Sequence, residues 1–358
     1  MLANSPSNKM STSTCPTAPV AVLGAGSWGT ALAALACQRR PTLLWARDAS
    51  RVAYINRHHQ LPDHLPNMTL PAALEASADF SAAMAHVLAN DTQPGLLILG
   101  VPLNGIAELC ARISAHLPAQ RRQPLYVLRT SKGIDPDSLQ LPHQLTDEHL
   151  TPRPWLHTGT LSGPSFALEV AQGLPVALTV ASADPDLAAC VVETLHGKSA
   201  RIYRSTDIMG VEIGGALKNI IAIACGVSDG LALGANARAA LITRGLAEIQ
   251  RLGTALGGQA TTFAGLTGLG DLVLTTTGDL SRNRQVGLAI AQGQSLSSLL
   301  ASGITAEGVR CAQAAQRLAQ AHGVDVPLID AVCDVLFTEL PPIEAARLLM
   351  GRMPRLEG

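Results

Sequence analysis

Val20-Ala-Val-Leu-Gly24-Ala-Gly26-Ser27-Trp28-Gly29-Thr-Ala-Leu-Ala33 is a short apolar run, broken by three glycines and resumed as an alanine-rich stretch of helical spacing. Four apolar residues followed at once by G-x-G-x-x-G read as a strand of a parallel sheet turning into a helix. Each glycine has its own physical reason: Gly24 makes the tight turn, Gly26 lets backbone approach a pyrophosphate, and Gly29 lets the helix pack close on the strand. Free N–H groups and the dipole at the helix start favour an anion, so a dinucleotide is the expected ligand. A tight turn with no ligand is the alternative.

Outward from this motif, a helix over residues 29–39 and a strand over 42–46 complete strand, helix, strand, which implies a parallel pair with a crossover. The second strand ends in Leu44-Trp45-Ala46-Arg47-Asp48, where an acid binds the ribose of NAD or a base accommodates the 2′-phosphate of NADP. Both residue types are present. Arg47 comes first and suits the phosphate while Asp48 suits the ribose, so NADPH is the expected cofactor with NADH tolerated; a solvated surface pair is the bland alternative. Further strands are predicted over 96–101, 125–129, 156–161, 176–181 and 201–203, with helices at 106–117 and 185–196. The pattern is an α/β class: an open, Rossmann-like dinucleotide-binding domain over residues 18–205.

From residue 206 onward strand-like runs almost vanish, and segments 236–252, 283–291, 307–321 and 328–337 have helical spacing, so residues 206–358 are expected to form an all-helical C-terminal domain. Lys218 stands out there. It is the only charge between Glu212 and Asp229, inside Ile213-Gly-Gly-Ala-Leu-Lys218-Asn-Ile-Ile-Ala-Ile-Ala-Cys-Gly-Val227, a helix set to be buried. An ammonium in that setting needs a partner, a lowered pKa or a polar cavity, and a lysine so tuned can give or take a proton near neutral pH. The alternative is a lysine whose head snorkels to the surface. Residues 135–154 read as a polar connection or weak helix, with His143, Glu148 and His149 as solvated loop residues rather than metal ligands. No metal is expected.

Composition narrows the partners. The 358 residues are 47% hydrophobic and 15% charged with a formal net charge of -1, enough for two domains and without the basic excess that nucleic acid requires. Seven scattered cysteines with no C-x-x-C pair suit a reducing cytosol, so the expected location is cytoplasmic. The Ser-, Thr-, Asn- and Pro-containing opening, residues 1–17, lacks an apolar core and reads as a disordered tail rather than a signal peptide. No apolar run reaches the roughly 18 residues of a membrane span.

Four more segments join polar side chains to glycines: Ser131-Lys132-Gly133, Leu161-Ser162-Gly163-Pro164-Ser165-Phe166-Ala167, Gly268-Leu-Gly-Asp271-Leu-Val-Leu-Thr275 and Ser281-Arg282-Asn283-Arg284. Alone, the last is an ordinary helix N-cap with surface arginines. Together with Gly24-Ala-Gly-Ser-Trp-Gly-Thr-Ala, Gly215-Ala-Leu-Lys218-Asn219 and Ala235-Asn-Ala-Arg-Ala-Ala-Leu-Ile-Thr-Arg-Gly245, in this order from about Val20 to Met350, they resemble the NAD(P)-dependent glycerol-3-phosphate dehydrogenases, most closely the bacterial branch.

The resemblance implies reversible reduction of dihydroxyacetone phosphate to sn-glycerol 3-phosphate, supplying phospholipid synthesis, with Lys218 as general acid/base. It implies a substrate site of Lys132, Gly163, Ser165, Lys218, Asp271, Ser281, Arg282 and Asn283, with Asn219 and Thr275 as further polar neighbours. Arg282 suits the phosphate because its planar fork binds two oxygens, and Asp271 suits a pair with Lys218. For the cofactor it adds Ser27, Trp28, Arg47, Lys132, Ala167, Arg282 and Glu307 to the three motif glycines. Arg40-Pro41 stands where Gly-His is usual before the second strand. A homodimer is expected from the Ala- and Gly-rich helical half. Two other readings stay open: a related dehydrogenase of 3-hydroxy acids, against which Arg282, Asn283 and Asp271 speak, and a nicotinamide-binding protein that does not turn over.

Overall fold

Runs such as Val20–Leu23 and Gly95–Leu99 make no polar demand on either face, so they settle as strands covered on both sides. The computed structural model describes residues 18–303 and 306–351; the expected tail, residues 1–17, lies outside the described residues. Strands β1 (Val20–Leu23), β2 (Thr42–Trp45), β3 (Glu75–Ser77), β4 (Gly95–Leu99), β5 (Leu125–Arg129), β6 (Leu156–Ser162), β7 (Val176–Ala181) and β8 (Ala200–Ser205) form one sheet in the order β3-β2-β1-β4-β5-β6-β7-β8. Every neighbouring pair is parallel except β6 with β7, which run antiparallel with Leu161 opposite Val180. The chain leaves β1 towards β2 and β3, then returns to place β4 on the other side of β1. This reversal opens a crevice beyond the carboxyl ends of β1 and β4, the place where open α/β sheets bind ligands.

Alternate strand residues divide the core. Val20, Val22, Leu96 and Ile98 face helices α1 (Ser27–Ala36), α2 (Ala49–His58), α6 (Ala167–Ala171) and α7 (Pro185–Leu195). Ala21, Leu23, Leu97 and Leu99 face α3 (Phe80–Leu88), α4 (Ile106–His116) and α5 (Pro142–His149). Helix α1 starts at Ser27, two residues before the expected position, and ends at Ala36 rather than residue 39. The sequence reading had no element for α2, β3 or α3.

Beyond β8 every element is helical: α8 (Ile208–Gly230), α9 (Gly234–Ala255), α10 (Ala260–Phe263), α11 (Asp271–Thr277), α12 (Arg282–Ala291), α13 (Leu296–Ala301), α14 (Glu307–Ala321), α15 (Pro327–Phe337) and α16 (Pro342–Met350). Asp207 caps α8 by accepting from the Gly210 N–H at 2.9 Å, and its second oxygen takes the Thr262 hydroxyl at 2.6 Å. Helix α8 is the axis of this half. Its crossing with α12 is close because Gly226 and Gly287 face each other's partner backbones: a Cβ on Gly226 would lie 2.1 Å from the Arg284 carbonyl oxygen, and one on Gly287 2.1 Å from that of Ile223.

Ile213, Leu217, Ile220, Ile221 and Ile223 are each at most 1% exposed, and each contributes roughly 1.5–3 kcal/mol through burial. Contrary to the expectation that no run is long enough, α8 could cross a membrane by length and composition, with mean hydropathy 1.6. Its apolar window is 83% buried inside the protein, which accounts for that hydropathy by packing.

Candidate functional site

A groove of about 650 Å³ lies in the crevice, with Gly24, Gly26, Arg47, Asp48 and Arg51 on one wall and Val101, Asn104, Glu108 and Arg112 on the other. Arg282, Glu307 and Arg310 reach it from the helical half. The three motif glycines differ in what demands them. Gly24 has φ +124°, and a Cβ there would stand 2.5 Å from the Gly100 carbonyl oxygen; a Cβ on Gly29 would stand 2.0 Å from that of Gly24. The chain itself requires both. At Gly26 a Cβ would meet nothing within 4 Å, so the protein leaves space at the N-cap of α1, where no side chain caps the first N–H groups. Open space, open donors and a helix dipole fit the pyrophosphate of a dinucleotide.

Arg47 is exposed at the groove wall, whereas Asp48 is the N-cap of α2, accepting from the Ser50 and Arg51 N–H groups at 2.9 and 3.2 Å. The Ser27 hydroxyl donates to the His64 carbonyl at 3.0 Å, and Trp28 and Ala167 pack on the first core. What these three offer a ligand is therefore backbone rather than side chain.

Where the sheet half and the helical half of the protein meet, buried charges converge. A π-helical turn, Leu266–Gly270, delivers Asp271 to the start of α11, fully buried. Its Oδ1 accepts from Lys218 Nζ and its Oδ2 from Lys132 Nζ at 2.7 Å. The Lys218 ammonium also donates to the Thr275 hydroxyl at 2.8 Å, which donates its own hydrogen to the Asp271 carbonyl at 2.7 Å. Lys218 does not snorkel: it is 6% exposed. Burial pushes it down from 10.5 to about 8, against the pull of Asp271, and the second ammonium of Lys132 pushes the same way. Lys132 keeps 17% of its side chain exposed.

The loop after β6 closes on this pair. A Cβ on Gly215 would lie 3.1 Å from Ser162 Oγ and 3.4 Å from Lys132 Cδ. Gly163 has φ +137° and packs against the backbone of β7, and Ser165 donates to the Gly163 carbonyl at 3.2 Å. On the other flank Ser281 is the N-cap of α12, accepting from the Arg284 N–H at 3.3 Å. Arg284 pairs with Asp229 at 2.8 Å and Asp279 at 3.0 Å, which leaves Arg282 as the arginine of that segment on the groove. Asn283 is committed on both sides, its amide donating to Asn219 Oδ1 at 3.0 Å and its oxygen accepting from the Gly308 N–H at 2.9 Å. Asn219 in turn donates to Glu307 at 3.3 Å, so a hydrogen-bonded chain runs from α12 to the groove wall.

One expectation is overturned. His143, Glu148 and His149 lie on helix α5, and His143 is not a solvated loop residue: its backbone N–H and Nδ1 both reach Glu212 Oε2, at 3.0 and 2.8 Å. Pro142 at the first turn and the Gln144 side chain, which accepts from the Leu141 N–H at 2.8 Å, start this helix despite its polar sequence. The other oxygen of Glu212 accepts from Arg129 Nε at 3.2 Å, with both side chains at most 1% exposed. Sequence reasoning missed Arg129 and Glu212. The signal was present, a carboxylate between Val211 and Ile213 and an arginine closing the apolar strand Leu125–Arg129.

Family models described as the N-terminus and the C-terminus of NAD-dependent glycerol-3-phosphate dehydrogenase match residues 19–188 and 207–347. A glycerol-3-phosphate dehydrogenase [NAD(P)+] of Burkholderia cenocepacia is 51% identical over 341 residues, covering 94% of this chain and 99% of that one. A crystal structure of glycerol-3-phosphate dehydrogenase from Coxiella burnetii superposes with a TM-score of 0.84 at 38% identity, over 94% of this chain and 99% of the other. A glycerol-3-phosphate dehydrogenase structure from Plasmodium falciparum shares the fold, with a TM-score of 0.83 at 20% identity, over 95% of this chain and 97% of the other.

Proposed function

The chain belongs to the bacterial-type NAD(P)-dependent glycerol-3-phosphate dehydrogenases, which interconvert dihydroxyacetone phosphate and sn-glycerol 3-phosphate, and from that membership we propose that Lys218 is the general acid of the reduction. The observation that carries this reading is a buried ammonium with its pKa lowered to about 8, one residue before Asn219, which donates to Glu307 on the wall of the dinucleotide groove. A group with that pKa is protonated enough to donate and weak enough as a base to let go. A nicotinamide bound in the groove would supply the hydride. Lys218 Nζ gives its proton to the carbonyl oxygen as negative charge develops there, and the neutral amine regains a proton from solvent; the reverse direction uses the neutral amine as base.

Asp271 holds both ammonium groups, so Lys218 and Lys132 converge on one carboxylate and point their remaining hydrogens at the substrate. Thr275 fixes the lysine head by accepting from it. Arg282 grips the phosphate with two N–H groups, assisted by Ser281, Asn283 and the start of α12, and Gly163 and Ser165 close the site from β6. Gly24, Gly26, Gly29, Ser27, Trp28 and Ala167 hold the cofactor, chiefly through backbone, with Lys132, Arg282 and Glu307 towards its nicotinamide end. Exposed Arg47, with the Asp48 carboxylate already engaged as a helix cap, supports NADPH over NADH. A homodimer in the cytoplasm, serving phospholipid synthesis, completes the reading.

The test is kinetic. Purified protein oxidises NADPH on addition of dihydroxyacetone phosphate, with NADH poorer. Arg282→Ala raises KM for dihydroxyacetone phosphate by about 100-fold, the loss of a charge-assisted bidentate contact, while KM for unphosphorylated dihydroxyacetone changes by a much smaller factor. A retained low KM removes the phosphate assignment.

A further inference from the structure

The seam between the sheet and the helices carries a second cluster of buried charge, outside the groove and unused by the chemistry above. Glu212 projects from α8 into the sheet half, where both its oxygens are occupied: Oε1 by Arg129 Nε at 3.2 Å, Oε2 by His143 N and Nδ1 at 3.0 and 2.8 Å. Arg129 is the last residue of β5, and Lys132 follows three residues later. Glu212 precedes Lys218 on α8 by six residues, a rise of about 9 Å. The cluster therefore ties the end of β5, three residues before Lys132, to the first turns of α8, six residues before Lys218.

We propose that Arg129, Glu212 and His143 are positioning residues for the reduction, fixing the end of β5 against α8 so that both lysines meet the two oxygens of one carboxylate. This rests on the reading of Lys218 as acid. A buried ion pair contributes little net stability compared with packed apolar side chains, so its distinctive contribution here is a fixed register. Register matters because two ammonium groups share Asp271. A shift of β5 along α8 moves Lys132 relative to Lys218, changing both the geometry at the substrate and the repulsion that lowers Lys218. The glycine turn and the groove walls at β1, β2 and β4 lie on other strands, so among the cofactor residues only Lys132 moves with β5.

Two variants test it in the full-length enzyme. Arg129→Met with Glu212→Leu replaces the pair by apolar side chains; Glu212→Gln keeps the shape and removes the charge. Both are expected to lower kcat about 10-fold or more, to change Kd for NADPH by a much smaller factor than kcat, and to displace the alkaline limb of the kcat profile, a readout that lost stability alone does not move. Should the double variant not fold, Glu212→Gln decides. A folded variant with wild-type kcat and an unmoved limb overturns the proposal. Lys218→Ala in the same assay reports on the acid alone: if it turns over normally the underlying reading fails, whereas its collapse beside an unaltered Glu212→Gln sinks only the positioning cluster.

Discussion

Two buried ionic clusters bridge the same seam, Lys132–Asp271–Lys218 and Arg129–Glu212–His143, and it is to the first that we assign the proton transfer. Each centres on a carboxylate with its two oxygens taken by different partners. The difference lies in the cations and their access. Burial can strip a lysine of its proton, whereas an arginine stays charged, so the two cations differ in whether they can become neutral. Lys132 retains some exposure while Arg129 has none. Glu212 is held below the usual carboxylate range by His143 and Arg129 despite its burial, so its carboxylate stays ionised at neutral pH. Chemistry thus requires more than buried charge: it requires a cation that can become neutral, next to space for a substrate.

Replacing the carboxylate of the reactive cluster should have the largest effect. Asp271→Asn leaves two ammonium groups facing each other without a counter-charge, a loss on the order of 3–5 kcal/mol for a broken buried pair, measurable as a lowered midpoint in urea. It also removes the charge that holds Lys218 up, so the reduction fails at lower pH than in the wild type. Next comes pH itself. Lys218 must be protonated to donate, so kcat for reduction should be level below about 8 and fall about tenfold per unit above it, while oxidation rises towards the same value. Identical limbs in both directions would remove Lys218 as the titrating group. Thr275→Val should have the smallest effect: one hydrogen bond to the ammonium is lost, worth about 1.5–3 kcal/mol if fully expressed, and kcat falls about 10-fold at unchanged Kd for NADPH.

What the sequence disclosed follows the range of the forces involved. The cofactor crevice is local: strand, glycines and helix start are consecutive, so the reasons for Gly24, Gly26 and Gly29 can be read from residue order alone. Lys218 was legible as a lone charge in an apolar helix, but its partners were not, since the bonds to Asp271 span 53 residues from Lys218 and 139 from Lys132. Asp271 and Lys132 were reached through the family resemblance. Glu212 was passed over although it shares the signature of Lys218, because its partner Arg129 lies 83 residues away at the end of a strand that reads as wholly apolar. Strand β3 was missed for another reason: of its three residues only Ala76 is buried, too little for an apolar period. Helix α5 carries its start signals in Pro142 and Gln144, and these were outweighed by its polar surface.

Helix α8 has a consequence during synthesis. Its helical packing partners α9, α11, α12, α14 and α15 come later in the chain, the last ending at Phe337. At about 5–20 residues per second, the stretch from Gly230 to Phe337 keeps the ribosome occupied for roughly 5–21 s after α8 has been made. For that interval a 23-residue apolar helix is exposed beside a sheet half that has already been synthesised. The burial that lowers the Lys218 pKa therefore has a cost in the nascent chain, which must be kept from aggregation until the helices around the active lysine are complete.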